Sequence, residues 1–299
     1  MTQTQEQTRE GYLEAPGGRV WYRIAGADAD GIPLLLLHGG PGAGHDYLES
    51  LEKLTDQRPV VFYDQLGCGR SDIPDDVSLW QMERFVREVD AVREGLGLER
   101  IHLLGQSWGG FLAIEYMLGK PRGIVSLTLA STSASVDEFL REARRLLSEL
   151  PVEARETIER CEAEGKTDTP EYLAATMAFY QRHLCRMDPW PPAMMRSMGN
   201  VMASPVYGTM WGPSEFTLTG NLEGWDRTAR LSEITAPTLI TAGRYDEMGA
   251  SCQETLRKGI PKSELRIFEN SSHSAHAEEP EAYLATVREF LGRVEKTAV

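Results

Sequence analysis

Residues 101–118 pass from an apolar run, Ile101-His-Leu-Leu104, through Gly105-Gln-Ser-Trp-Gly109, into an apolar helical pattern that ends at Leu118. A strand, G-x-S-x-G and a helix in that order form a sharp turn that lifts a serine off the end of a strand. Glycines flank the turn because side chains would not fit there. A glycine-rich turn whose serine merely caps the next helix would share the five letters. The strand ahead and the helix behind favour an exposed nucleophile, Ser107.

Strand-like and helix-like runs alternate around this point. Residues 12–15 and 19–24 read as an opening hairpin joined by Pro16-Gly17-Gly18. Residues 33–37 and 59–63 are continuous apolar runs, as in strands buried on both faces. Residues 79–96 read as an amphipathic helix, 124–130, 238–242 and 264–268 as strands, and 249–258 and 280–294 as helices. This alternation predicts an α/β fold with a mostly parallel, doubly wound sheet. One connection breaks the rhythm: residues 131–236 contain no clear core strand. Helical patterns lie at 136–150, 152–163 and 170–184, followed by the proline- and tryptophan-rich turns of Asp188-Pro-Trp-Pro-Pro192. An ordinary connection runs about 2–6 residues, so this stretch reads as an inserted helical cap over the ligand crevice. The expected division is a core of residues 1–132 and 233–299 with a cap of 133–232.

A serine nucleophile needs a base, and the base needs an acid that orients it. In chain order the acid and then the histidine follow such a serine. His38, His45 and His102 precede Ser107, and His183 lies in the cap. His273, just after the 264–268 strand, is the expected base. His276 reads as a surface residue near a helix start. The 238–242 strand runs into Arg244-Tyr-Asp-Glu247, making Asp246 the expected acid; Asp226 reads as a turn or cap residue. Oxyanion donors are expected from the Trp108 amide and from the His38-Gly-Gly-Pro-Gly42 loop. Gly39 is the first choice there and Gly40 the fallback, where glycine lets the backbone approach substrate closely.

The 299 residues carry a net charge of −14, which argues against nucleic acid and anionic membrane surfaces as partners. The charge suits a cationic substrate but is also ordinary for solubility. Four scattered cysteines, Cys68, Cys161, Cys185 and Cys252, read as free thiols. The polar N-terminus and the lack of any apolar run near the ~20 residues of a membrane span point to the cytoplasm. Oligomeric state is unreadable.

His38-Gly-Gly-Pro-Gly42, Asp64-Gln-Leu-Gly-Cys-Gly-Arg-Ser71, Gly105-Gln-Ser-Trp-Gly-Gly110, Gly243-Arg-Tyr-Asp-Glu247 and Ser272-His273 together resemble the proline iminopeptidases, serine peptidases of the α/β-hydrolase fold. The resemblance spans about residues 11–291. In the cap, Asp188-Pro-Trp-Pro-Pro192 and 210–220 are similar to the tricorn-associated aminopeptidase branch, and bacterial L-amino-acid amidases look much the same. The resemblance implies a free α-ammonium held by carboxylates at the positions of Glu215 and Glu247, with Tyr207 and Gly40 on the substrate side. It implies no metal and no cofactor. Leu66 stands where many members carry arginine, which favours a broad first-residue preference. Aromatic and methionine residues of the cap (Phe179, Tyr180, Trp190, Met194, Met195, Trp211, Phe216) are candidates for a side-chain pocket, most of them as cap core. The expected reaction removes the N-terminal residue from short peptides through an acyl-enzyme. Release of ammonia from amino-acid amides is the alternative, and a small-molecule esterase or acyltransferase stands behind it.

Overall fold

The computed structural model describes residues 8–297; the first part of the polar start, residues 1–7, and the last two residues lie outside it. Eight strands form one sheet in the order β1-β2-β4-β3-β5-β6-β7-β8. β1 (Arg9–Ala15) and β2 (Gly18–Ala25) are the expected hairpin, and β2 joins β4 (Val60–Tyr63) antiparallel. β3 (Leu34–Leu37), β5 (Ile101–Gln106), β6 (Ile124–Ala130), β7 (Thr238–Gly243) and β8 (Ser263–Phe268) complete a parallel array with β4. Every residue of β3, β4, β5 and β7 is buried. That is why their sequences run apolar without alternation: helices cover both faces of a parallel sheet.

Helices α1 (Met82–Gly95) and α2 (Trp108–Leu118) precede β6. α2 has no polar face, because all but one of its residues are buried beneath the return of the inserted segment: the Trp225 ring stacks on Phe111 and Arg227 pairs with Glu115 at 2.6 Å. Between β6 and β7 run α3 (Val136–Ser148), α4 (Val152–Ala163), α5 (Pro170–His183), α6 (Pro192–Ala203) and α7 (Pro205–Met210). Ser135 caps α3 through the Glu138 amide, and Thr169 caps α5 with Pro170 in its first turn. The prolines at 191, 192 and 205 resemble turn punctuation, yet Pro192 and Pro205 occupy the first turns of α6 and α7, where a missing N–H costs nothing. Two helices therefore follow the expected turns of 188–192, in a stretch that carried no helical expectation. α8 (Ala250–Gly259), the short α9 (Ala275–Glu278) and α10 (Pro280–Thr297) finish the chain.

α6 fastens the insertion to the loop after β3. Arg196 reaches Asp46 at 2.6 Å and Glu49 at 2.7 Å, Ser197 Oγ accepts from the Tyr47 amide at 3.1 Å, and Asn200 donates to the Ala43 carbonyl at 3.0 Å. Among the described residues no helix is long and apolar enough to cross a membrane. All four cysteines are free and buried.

Candidate active site

Ser107 sits between β5 and α2 at φ 56°, ψ −125°, a backbone conformation that side chains rarely adopt and that costs of order 1–3 kcal/mol. The flanking glycines explain how the turn closes. A Cβ on Gly105 would lie 2.1 Å from the Gly109 carbonyl oxygen, and one on Gly109 would lie 2.0 Å from that of Leu37. Both obstacles are backbone, which cannot swing away. Gly109→Ala is therefore expected to cost on the order of 3 kcal/mol by overpacking, or a fall in Tm of roughly 5 °C for a chain of this size, measurable by calorimetry.

Asp246 follows β7 and His273 follows β8. Asp246 Oδ1 accepts from His273 Nδ1 at 2.8 Å and from the Met248 amide at 3.0 Å. A carboxylate only accepts, so Nδ1 carries the imidazole proton and Nε2 is left to act as a base. Both side chains are buried, and Ser107 is 7% exposed. The sheet thus brings the three expected residues to the carboxyl ends of β5, β7 and β8. Asp226 lies elsewhere and caps a turn through Thr228.

His276 corrects the sequence expectation. It is 2% exposed rather than on the surface; its Nε2 donates to the Tyr47 carbonyl at 3.1 Å, and its ring packs against Tyr47 and Tyr283. Its polar side chain masked the fact that α9 folds inward.

Gly39 is also placed differently. Its N–H donates to Tyr47 Oη at 2.7 Å, and that hydroxyl donates to Gln106 Oε1 at 2.5 Å. Gln106 Nε2 in turn reaches the His273 carbonyl at 3.3 Å. Gly39 thus anchors a strut beneath the site. Gly40, at φ 108°, has no hydrogen-bond partner on its N–H among the described residues and lines a cavity with Ser107 and Trp108. As the first residue of α2, Trp108 has no carbonyl one turn back to bond. Nothing local in the sequence signals Tyr47 and Gln106, since their partners are 8 to 167 positions away.

The cavity is narrow and is walled by Phe111, Phe139, Trp211, Leu222 and Met248, with Glu215 on its surface. Of the cap residues considered for a pocket, Trp211 alone is in this wall; Met195 is 56% exposed and Phe179 is core. Leu66 is fully buried, with its amide on Glu88, away from the cavity wall.

Two carboxylates give the site its electrostatics. Glu215 Oε1 accepts from Tyr207 Oη at 2.7 Å. Glu247 is 0% exposed, its Oε1 lies 3.6 Å from His273 Nε2, and neither of its oxygens has a hydrogen-bond partner among the described residues. Burial, then the charge of Glu215, then that of Asp246 push the Glu247 pKa well above the ordinary carboxylate range. Burial likewise raises that of Glu215, against the pull of the Tyr207 hydrogen bond and His273. Glu215 has Tyr207 as a partner, whereas Glu247 has none among the described residues, and a buried carboxylate without donors is costly unless it is protonated or meets a cation.

The family model for the alpha/beta hydrolase fold matches residues 32–280. The proline iminopeptidase of Heyndrickxia coagulans is 41% identical over 285 residues, covering 95% of this chain and 99% of that protein. The crystal structure of a proline iminopeptidase from Mycobacterium smegmatis superposes with a TM-score of 0.90 at 36% identity, over 97% of this chain and 100% of that one. The crystal structure of VinJ superposes with a TM-score of 0.93 at 37% identity, over 96% and 99%.

Proposed function

Because this chain is a hydrolase of the α/β-hydrolase fold and belongs to the proline iminopeptidase family, we propose that it removes the N-terminal residue from short peptides through an acyl-enzyme on Ser107. The observation that carries the reading is Glu247: a fully buried carboxylate with no hydrogen-bond partner among the described residues, 3.6 Å from the Nε2 of His273. An α-ammonium supplies what that carboxylate lacks. Covalent geometry then fixes where cleavage occurs. The α-nitrogen lies about 2.5 Å from its own carbonyl carbon, so a cation held beside the imidazole offers the first carbonyl, and no later one, to the serine.

Ser107 Oγ attacks that carbonyl as His273 Nε2 takes its proton, while Asp246 holds Nδ1–H in place. The oxyanion is received by the N–H groups of Trp108 and Gly40. We prefer Gly40 to Gly39 because Tyr47 already occupies the Gly39 amide. His273 gives its proton to the departing amine, the C–N bond breaks, and an ester to Ser107 remains. Water, deprotonated by His273, adds to that ester; the ester C–O bond then breaks, His273 returns the proton to Ser107 Oγ, and the free amino acid leaves. Glu247 and Glu215 hold the ammonium throughout, and Tyr207 orients Glu215. The apolar wall beside Ser107 favours an uncharged first side chain. The cap is assigned to residues 133–232, with the remainder as core.

Mass spectrometry of a free-amine hexapeptide after incubation tests this. Successive loss of single N-terminal residues is expected, with the N-acetylated hexapeptide intact. Internal cleavage, or ammonia from amino-acid amides with peptides untouched, would displace the reading.

A further inference from the structure

We propose that His183, the last residue of α5, is a positioning residue that holds the loops carrying Asp246 and His273 in register. The proposal rests on the reading of Ser107, His273 and Asp246 as the catalytic triad. Both ends of His183 touch that machinery. Its Nδ1 lies 2.9 Å from the carbonyl oxygen of Tyr245, the residue before Asp246, and its own carbonyl accepts the His273 N–H at 3.1 Å. A carbonyl only accepts, so Nδ1 carries the proton and the bond has a defined direction. Burial lowers the pKa of His183, against the pull of the Tyr245 hydrogen bond, and favours a neutral ring whose Nδ1–H makes that bond.

The chain after His183 repeats the pattern. The Leu184 carbonyl accepts from Ser274 Oγ at 2.8 Å, the Arg186 amide donates to Glu278 at 2.7 Å, and the Arg186 guanidinium lies 3.8 Å from the centre of the Tyr245 ring. Residues 183–186 therefore bridge the two loops that must present Asp246 to His273. One turn back along α5, Phe179 packs its ring on both His183 and Phe216, the neighbour of Glu215. The helix that supports the ammonium site thus also supports the triad. Chemistry of this kind is sensitive to position: about 1 Å of misplacement from a remote change can cost ~10²-fold in rate.

Two variants separate the hydrogen bond from the packing. His183→Phe keeps a ring against Phe179 and loses the donor. His183→Asn keeps an N–H near the Nδ1 position and loses the ring. Rates on alanyl p-nitroanilide, normalised to titrated active sites, are expected to show kcat lowered roughly 10–100-fold in His183→Phe, with KM within about threefold, and kcat largely restored in His183→Asn. Equal losses in both variants, or a His183→Phe kcat within twofold of the unaltered protein, would overturn the proposal. Should His183→Phe not accumulate, His183→Ala serves as the donor-less partner. Ser107→Ala is assayed alongside: if it keeps its activity, the triad reading itself fails, whereas its loss beside a normal His183→Phe refutes only the positioning role.

Discussion

Ser107→Ala is expected to lower kcat by on the order of 10⁴–10⁶-fold while leaving the fold in place, because nucleophile, base and acid act as a unit. Ser107 stands in a strained turn that closes only with glycine at 105 and 109 and lines a cavity, and Asp246 fixes the tautomer of the His273 imidazole. Alanine keeps the Cβ and the backbone strain, so Tm should change little, and calorimetry separates lost chemistry from lost structure. Mass spectrometry of the unaltered protein quenched with a slow ester should show the added acyl mass, and the variant should show none. Turnover in Ser107→Ala within tenfold of the unaltered protein would remove the serine mechanism.

Glu247→Gln is expected to have the second largest effect, and to act selectively. The carboxylate is buried, lacks a hydrogen-bond partner among the described residues and lies beside the base. Withdrawing one partner from a buried ion pair costs about 3–5 kcal/mol, or on the order of 10²–10⁴-fold in kcat/KM for free-amine substrates. The substrate-free protein should respond in the opposite direction. With its folded pKa raised by burial and by Glu215, Glu247 retains a proton that the unfolded chain has released, so its contribution to stability falls as pH rises from the ordinary glutamate range towards the folded value. Removing the charge takes that cost away, so Glu247→Gln should melt no lower than the unaltered protein at neutral pH. For the same reason, KM for free-amine substrates should rise as pH drops through the folded pKa of the pair, since a protonated pair no longer attracts ammonium. A variant with low Tm and equal losses on amine and non-amine substrates would mean that Glu247 is structural.

Features whose partners are near in sequence were legible before the structure. The elbow around Ser107, the strands that end at Asp246 and before His273, and helices α3, α4 and α5 all follow from local pattern. What escaped was set by distant contacts or by residues with two uses. Pro192 and Pro205 break a chain or start a helix with equal ease, and here they start α6 and α7. His276 is polar yet buried, because Tyr47, 229 positions away, offers it a carbonyl. Gly39 and Gly40 are indistinguishable as letters; Tyr47 Oη on the Gly39 amide tells them apart. Glu215 and Glu247 taken singly read as surface charge. Resemblance pointed to them, and the buried carboxylate beside His273 gives that resemblance a physical reason.

The most direct test of recognition of a free N-terminal amine at a serine nucleophile is a comparison of initial rates on prolyl, alanyl, leucyl and phenylalanyl p-nitroanilides with their N-acetylated counterparts. The account predicts p-nitroaniline release from the free amines, with acetylation lowering kcat/KM by at least about 10²-fold for every side chain accepted. Equal rates on both series would contradict it, because Glu247 and Glu215 would then have no ammonium to hold.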